Sequence, residues 1–241
     1  MIKPRVAFVV QRAGKEIAGG AESYCFEMAK RMSQYWDIEI ITTCALDYTT
    51  WDNFYDEGIE IVDGIKINRF SVDETRDWET FNQIFPKNGE EAKVITSSDA
   101  KKIMELQGPI SSSLMTYLKE KYDFFEKFIF FTYLYAPTFF GLPVVEKKAY
   151  LVPFAHDETP IYFPIWDEWF KKSQGFIFNT IEEKMFLESR FPDITFSGEI
   201  TGLGITKPNN FSSIKFRQKY DIYAPYMLYI GRIDTGKGCN E

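Results

Sequence analysis

Basic surplus, paired cysteines, clustered histidines and long apolar runs are all scarce in this 241-residue chain. A formal net charge of -7 gives no cationic field to displace counterions, so general binding to nucleic acid is disfavoured, and so is strong adhesion to an anionic membrane. Lysines cluster locally, at Lys119, Lys121 and Lys127 and at Lys147, Lys148, Lys171 and Lys172, where a solvated face is the simpler reading. Cys25, Cys44 and Cys239 form no CxxC pair, and the single histidine, His156, cannot complete a zinc set with them. Disulfides and structural zinc are therefore not expected. The run Val6 to Val10 is too brief for a signal-peptide core, and no run reaches the roughly 20 apolar residues of a membrane span. The expectation is a soluble protein of a reducing, cytoplasmic compartment. No GxSxG elbow is present, and one histidine without a metal cluster argues against Ser-His-Asp and zinc hydrolases.

What is present is a hydrophobic fraction of 45%, enough for a substantial core, arranged in a repeating order. Val6 to Val10 reads as a buried strand, QRAGKEIAGGAE as a glycine-bearing loop, and Ala21, Tyr24, Cys25, Met28, Ala29 and Met32 as one face of a helix. Ile38 to Thr42 follows as a second strand, which makes a βαβ opening. Ile59 to Val62 and Ile65 to Phe70 flank Asp63-Gly64 as a hairpin. Residues 78 to 122 contain no strand-like run and carry helical spacing on both sides of Gly108-Pro109. Phe128 to Phe131, Ala149 to Val152 and Gly175 to Phe178 are further buried strands, separated by helices near Pro137 to Leu142 and Ile165 to Lys172. Thr180 is an N-cap with Glu183 three residues on, and Phe191-Pro192 ends that helix. The alternation predicts an α/β fold, a Rossmann-like doubly wound, mostly parallel sheet flanked by helices, with ligands at the carboxyl ends of the strands. Residues 1–206 form this domain, 207–225 a polar linker with a short helix near Ser213 to Tyr220, and 226–241 the first strand, Tyr226 to Ile230, and loop of a second domain. A strand left without partners at the end of a chain suggests that a longer protein continues beyond it.

Three places could carry chemistry. Gly19 and Gly20 stand at the start of the first helix, where free N–H groups and the positive end of the dipole favour an anion, although the spacing is not GxGxxG. His156 follows the strand Tyr150 to Val152, with Asp157 beside it to orient or pair with the ring. Arg232 and Lys237 flank a turn in GRIDTGKG, a fork-shaped cation and a point charge suited to a diphosphate; taken alone this is also an ordinary basic loop.

GGAE at Gly19 to Glu22, AHD at Ala155 to Asp157, FNTIEEKMFL at Phe178 to Leu187, GLGI at Gly202 to Ile205 and YIGRIDTGKG at Tyr229 to Gly238 occur in an order that resembles the retaining glycosyltransferases of family four. That resemblance covers nearly the whole chain and implies the N-terminal, acceptor-side half of a GT-B fold. It implies that Gly19 and Gly20 approach the donor phosphate and acceptor, with Glu22 in support. His156 would contact the donor sugar, and Arg232 and Lys237 would hold the diphosphate leaving group in place of a metal ion. The implied donor is a nucleotide-diphosphate sugar and the implied acceptor a glycan or lipid-linked hydroxyl, with at most weak peripheral contact with a membrane and no other cofactor. The family's paired-glutamate motif is absent, so this chain alone is expected to be inactive. Two alternatives stand beside this reading. One is a GT-B nucleotide-sugar epimerase. The other is a noncatalytic carbohydrate- or partner-binding domain with Trp51, Tyr55, Tyr162, Trp166 and Trp169 as a platform. An NAD-dependent oxidoreductase is least favoured, because Thr42 and Thr43 stand where an acidic residue would meet the ribose.

Overall fold

In the computed structural model, which describes residues 3–17, 19–204, 209 and 211–230, the chain divides into two compact units, 1–204 and 205–241. The first unit is built on an eight-stranded sheet. Its strands are β1 (Arg5–Arg12), β2 (Asp37–Thr43), β3 (Gly58–Val62), β4 (Ile65–Phe70), β5 (Lys127–Phe131), β6 (Ala149–Val152), β7 (Gly175–Phe178) and β8 (Gly198–Ile200), in the order β3-β4-β2-β1-β5-β6-β7-β8. Only the β3–β4 hairpin is antiparallel; every other pairing is parallel. The chain fills one side of β1 first and then crosses to the other, so the order reverses between β1 and β5. In a doubly wound sheet that reversal opens a crevice at the carboxyl ends of the strands.

The sequence explains this layering locally. β1 alternates Val6, Phe8 and Val10 toward one face and Ala7 and Val9 toward the other, and all five are buried. Apolar residues at every position suit a strand covered on both sides. Helix α1 (Gly20–Met32) packs Tyr24, Cys25 and Ala29 on the first face. The opposite face is covered by α4 (Ser97–Gln107), α5 (Ser112–Glu120), α6 (Ala136–Val144), α7 (Trp166–Trp169) and α8 (Ile181–Arg190), with α2 (Trp78–Ile84) and α3 (Gly89–Ala92) leading into them. Capping residues set the helix starts: Asp77, Asn88, Thr96, Ser111 and Thr180 each accept a hydrogen bond from a backbone N–H of the first turn. The hairpin turn holds Asp63 at φ 49° and Gly64 at φ 81°, as a two-residue connection between twisted strands requires. Gly141 lies where α6 crosses α5 and β5; an added Cβ would stand 2.8 Å from Leu118 Cδ1 and 3.2 Å from Phe130, so any larger residue would force Leu118 to shift.

The second unit contains α9 (Ser213–Tyr220), capped by Ser212. Tyr226 to Ile230, expected as a buried strand, pair with no strand among the described residues, and Met227 and Ile230 are largely exposed. Apolar composition makes a strand only when a neighbouring strand supplies the ladder and another layer supplies the burial. Lysines of the clusters read as a solvated face are engaged in local pairs. Lys148 donates to Tyr122 and Phe125 carbonyls, Lys171 pairs with Glu168, and Lys172 lies 3.6 Å from Glu146. No helix among the described residues is long and apolar enough to cross a membrane. Cys25 and Cys44 are buried thiols, with Cys44 pushed up to about 11 mainly by burial; Cys239 lies outside the described residues.

Phe130 sits at the centre of the helix-covered face and is fully buried. Phe130→Ala is expected to destabilise the fold by about 3–5 kcal/mol, because the close-packed helices cannot collapse into the space left behind. The shift of the urea unfolding midpoint measures it.

Candidate functional site

The carboxyl ends of the neighbouring strands β1, β5 and β6 flank the β1/β5 reversal, and the loops that follow them are tied to one another. The first follows β1. Its pairing with β2 slips between Val9 and Arg12, and this irregularity turns the strand end. Arg12 then pairs with Glu22 at 2.7 Å, both side chains largely buried, and its guanidinium also donates to the Leu46 carbonyl. Glu22 belongs to the first turn of α1, whose N-cap is Gly19 with no side-chain cap. Its carboxylate lies directly against Gly19, so a Cβ at that position would overlap it. Gly20 has open space around it. The first-turn N–H groups are therefore left open by a residue that carries no side chain, while Arg12 neutralises the one carboxylate that would otherwise repel an anion.

The second and third loops follow β5 and β6, and they are tied to each other. Thr132 N–H donates to the Val152 carbonyl and Tyr133 N–H to Pro153, so the pairing runs past both strands. Thr132 and Phe154 hold φ angles of 61° and 52°, left-handed conformations that non-glycine residues rarely adopt. Such strain gathers where surrounding structure dictates the path of a loop. Phe154 packs edge-on against Tyr24 of α1, ring centroids 5.6 Å apart, and Tyr24 Oη meets Thr201 Oγ1 at 2.9 Å. These contacts bring the start of α1, the β6 loop and the β8 loop to one place.

His156 projects from the third loop with 71% of its side chain exposed. Its carboxylate neighbour is Glu158, whose Oε2 lies 3.4 Å from Nε2. Asp157 does not pair with the ring, contrary to expectation: it accepts a hydrogen bond from Tyr162 Oη at 2.7 Å. The reason is the turn of the loop, which sends adjacent side chains in different directions and returns the residue two positions on. Glu158 accepts from Tyr133 Oη at 2.7 Å. Burial pushes its carboxyl up, with the imidazole and the Tyr133 hydroxyl acting in the opposite sense.

A second buried carboxylate fixes the same loop from outside. Glu183, the third residue of α8, accepts from Ala155 N–H at 2.9 Å and from Asn179 N–H at 2.8 Å. The predicted cap is present, since Thr180 Oγ1 accepts from Glu183 N–H, but the glutamate reaches away from Thr180 to hold the residue next to His156. Burial raises its carboxyl above the usual value of 4.5 despite those N–H bonds.

No family model matches this chain, and neither does any curated protein. Among solved structures it is similar to one described as trehalose-6-phosphate from E. coli bound with UDP-2-fluoro glucose, at a TM-score of 0.47 and 12% identity. The match covers 90% of this chain and 54% of the other, so the chain spans about half the length of that structure. At that score it is a likeness in outline only.

Of the residues expected at a site, Gly19, Gly20 and Glu22 stand at the start of α1 after β1 and His156 in the loop after β6, Asp157 is bonded to Tyr162 instead of the ring, and Arg232, Lys237 and Ile205 lie outside the described residues. The aromatic platform is not formed: Trp51, Trp166 and Trp169 are buried in the core. Arg12, Tyr133 and Glu158 were missed in the sequence and Glu183 was read only as part of a helix cap, although a glutamate directly after AHD and an arginine at the end of a largely apolar strand were visible signals. Among the described residues no three histidine, cysteine or acidic side chains gather as metal ligands.

Two expectations follow. Glu183→Ala strands two buried N–H groups and should lower stability by about 2–4 kcal/mol in urea unfolding. A carboxyl whose folded value is raised binds more protons folded than unfolded above pH 4.5, so its contribution to stability falls as pH rises through the folded value. Glu183→Gln should therefore gain on the wild type as pH rises above 4.5, measured as the difference in thermal midpoint between the two proteins at successive pH values.

Proposed function

We propose that this chain is the acceptor-side half of a retaining, nucleotide-sugar-dependent glycosyltransferase of GT-B architecture. The observation that supports this best is that an uncapped helix start and an exposed imidazole each follow a strand of the sheet, with α1 tied to the imidazole's loop by the Tyr24–Phe154 contact. The first suits an oxyanion of a diphosphate and the second suits the hydroxyls of a sugar.

In this reading residues 1–204 carry the acceptor side of the site, and a second domain is needed to complete the donor side. The bond from the anomeric carbon to the diphosphate breaks, the acceptor oxygen bonds to that carbon with retained configuration, and the acceptor proton leaves with the departing phosphate. Charge builds on the diphosphate, where fixed N–H dipoles and cations lower the barrier. The N–H groups after Gly19 supply dipoles, and Arg232 and Lys237 are assigned the cations, so no metal ion is required. His156 positions the sugar. The acceptor is a glycan or lipid-linked hydroxyl. A cavity of about 540 Å³ between Asp73, Lys102, Glu105, Ser112, Met115 and Phe140 is large enough to seat a sugar ring.

The test uses a protein carrying both domains, a panel of UDP- and GDP-hexoses, and release of the nucleoside diphosphate as readout. His156→Ala and Lys237→Ala should each lower turnover on the order of 100-fold while the melting temperature stays unchanged. Near-normal rates in both variants would overturn the site, and no release from any donor would overturn the activity. Gly19→Ala should also slow transfer, by forcing Glu22 away from Arg12 and into the helix start.

A further inference from the structure

We propose that Glu158 is a positioning residue, which together with Tyr133 forms a strut that holds the imidazole of His156 in one orientation at the mouth of the sheet. The proposal rests on the assignment of His156 above as the group that meets the donor sugar.

An imidazole with 71% of its surface in water has little packing to fix it. What it has is a carboxylate oxygen at 3.4 Å, and that carboxylate is anchored through its other oxygen. The anchor is Tyr133, which is fully buried and packs edge-on against Trp166, centroids 5.0 Å apart. Its backbone N–H is bonded to Pro153, three residues before His156. A path of defined contacts therefore runs from the aromatic core through one hydroxyl and one carboxylate to the ring. Largely desolvating a carboxylate is unfavourable unless its oxygens find partners, and Glu158 has a donor in Tyr133 and the imidazole 3.4 Å from its other oxygen. The side chains that compete for other partners are accounted for: Asp157 is taken by Tyr162, and Glu183 by Ala155 and Asn179. Glu158 alone faces the ring among the carboxylates of the described residues that pair with it.

Because His156 is the only histidine in the sequence, labelled histidine gives one imidazole signal, and its relaxation reports ring order directly. The wild-type chain should give an order parameter near the rigid value of about 0.85, falling below about 0.6 in Glu158→Ala. Tyr133→Phe, which deletes one hydroxyl and leaves the ring packing, should also lower it, and this variant decides the matter if Glu158→Ala does not fold. In the two-domain enzyme Tyr133→Phe should reduce kcat on the order of tenfold with the donor KM unchanged, as misorientation without lost binding does. Unchanged ring order in a folded Tyr133→Phe variant, or a mobile ring in the wild type, would overturn the strut whatever happens to transfer. A disordered ring with undiminished transfer would instead overturn the role of His156, and the positioning role with it.

Discussion

The parallel pairing of β1 on both of its edges is the constraint from which the rest of the molecule follows. Val6 through Val9 are each in register with β2 on one side and β5 on the other, and none of their side chains reaches water to any useful extent. A strand held on four sides cannot shift by one residue without turning Phe8 out of one layer and Val9 out of the other. Its carboxyl end is thereby fixed, and with it the start of α1. The chain fills β2, β4 and β3 on one side and returns to β5 on the other, so the loops after β1 and β5 diverge and leave the crevice open between them.

Around that crevice the molecule buries polar groups that a core would otherwise exclude. Arg12 with Glu22, Glu158 with Tyr133, and Glu183 with two backbone N–H groups all lie at the carboxyl ends of the strands. Each ties one loop to another, and each carboxylate has its donors, which is what makes the burial tolerable. The comparable group elsewhere, Glu39 beneath α5, is met by Tyr117, Asn68 and Lys66 and serves the sheet rather than the crevice. Left-handed Thr132 and Phe154 belong with the site group, since both lie in the loops that these contacts hold.

Residues whose structure depends on near neighbours were legible in the sequence. The limits of β6 and β7, the turn at Asp63-Gly64, the Thr180 cap and the helix after Ser212 rest on apolar periodicity, glycine conformations and cap chemistry, all of which act within a few residues. β8 was invisible because three residues with one isoleucine carry no pattern; it is a strand only because β7 offers it an edge. Tyr226 to Ile230 failed for the opposite reason, having the composition of a strand and nothing to pair with among the described residues.

For the site the division is the same. The sequence by itself determined that a glycine helix start and a lone histidine each follow a buried strand, because strand, loop and helix succession is a local property. It could not decide that Glu158 rather than Asp157 faces the imidazole, that Glu183 crosses from α8 to hold Ala155, or that three tryptophans are core and not platform. Those outcomes depend on which groups the sheet order brings within hydrogen-bond reach across some 25 to 30 residues of chain, as with Tyr133 to Glu158 and Ala155 to Glu183. Side-chain direction at such distances is set by packing, and packing exists only once the layers have closed.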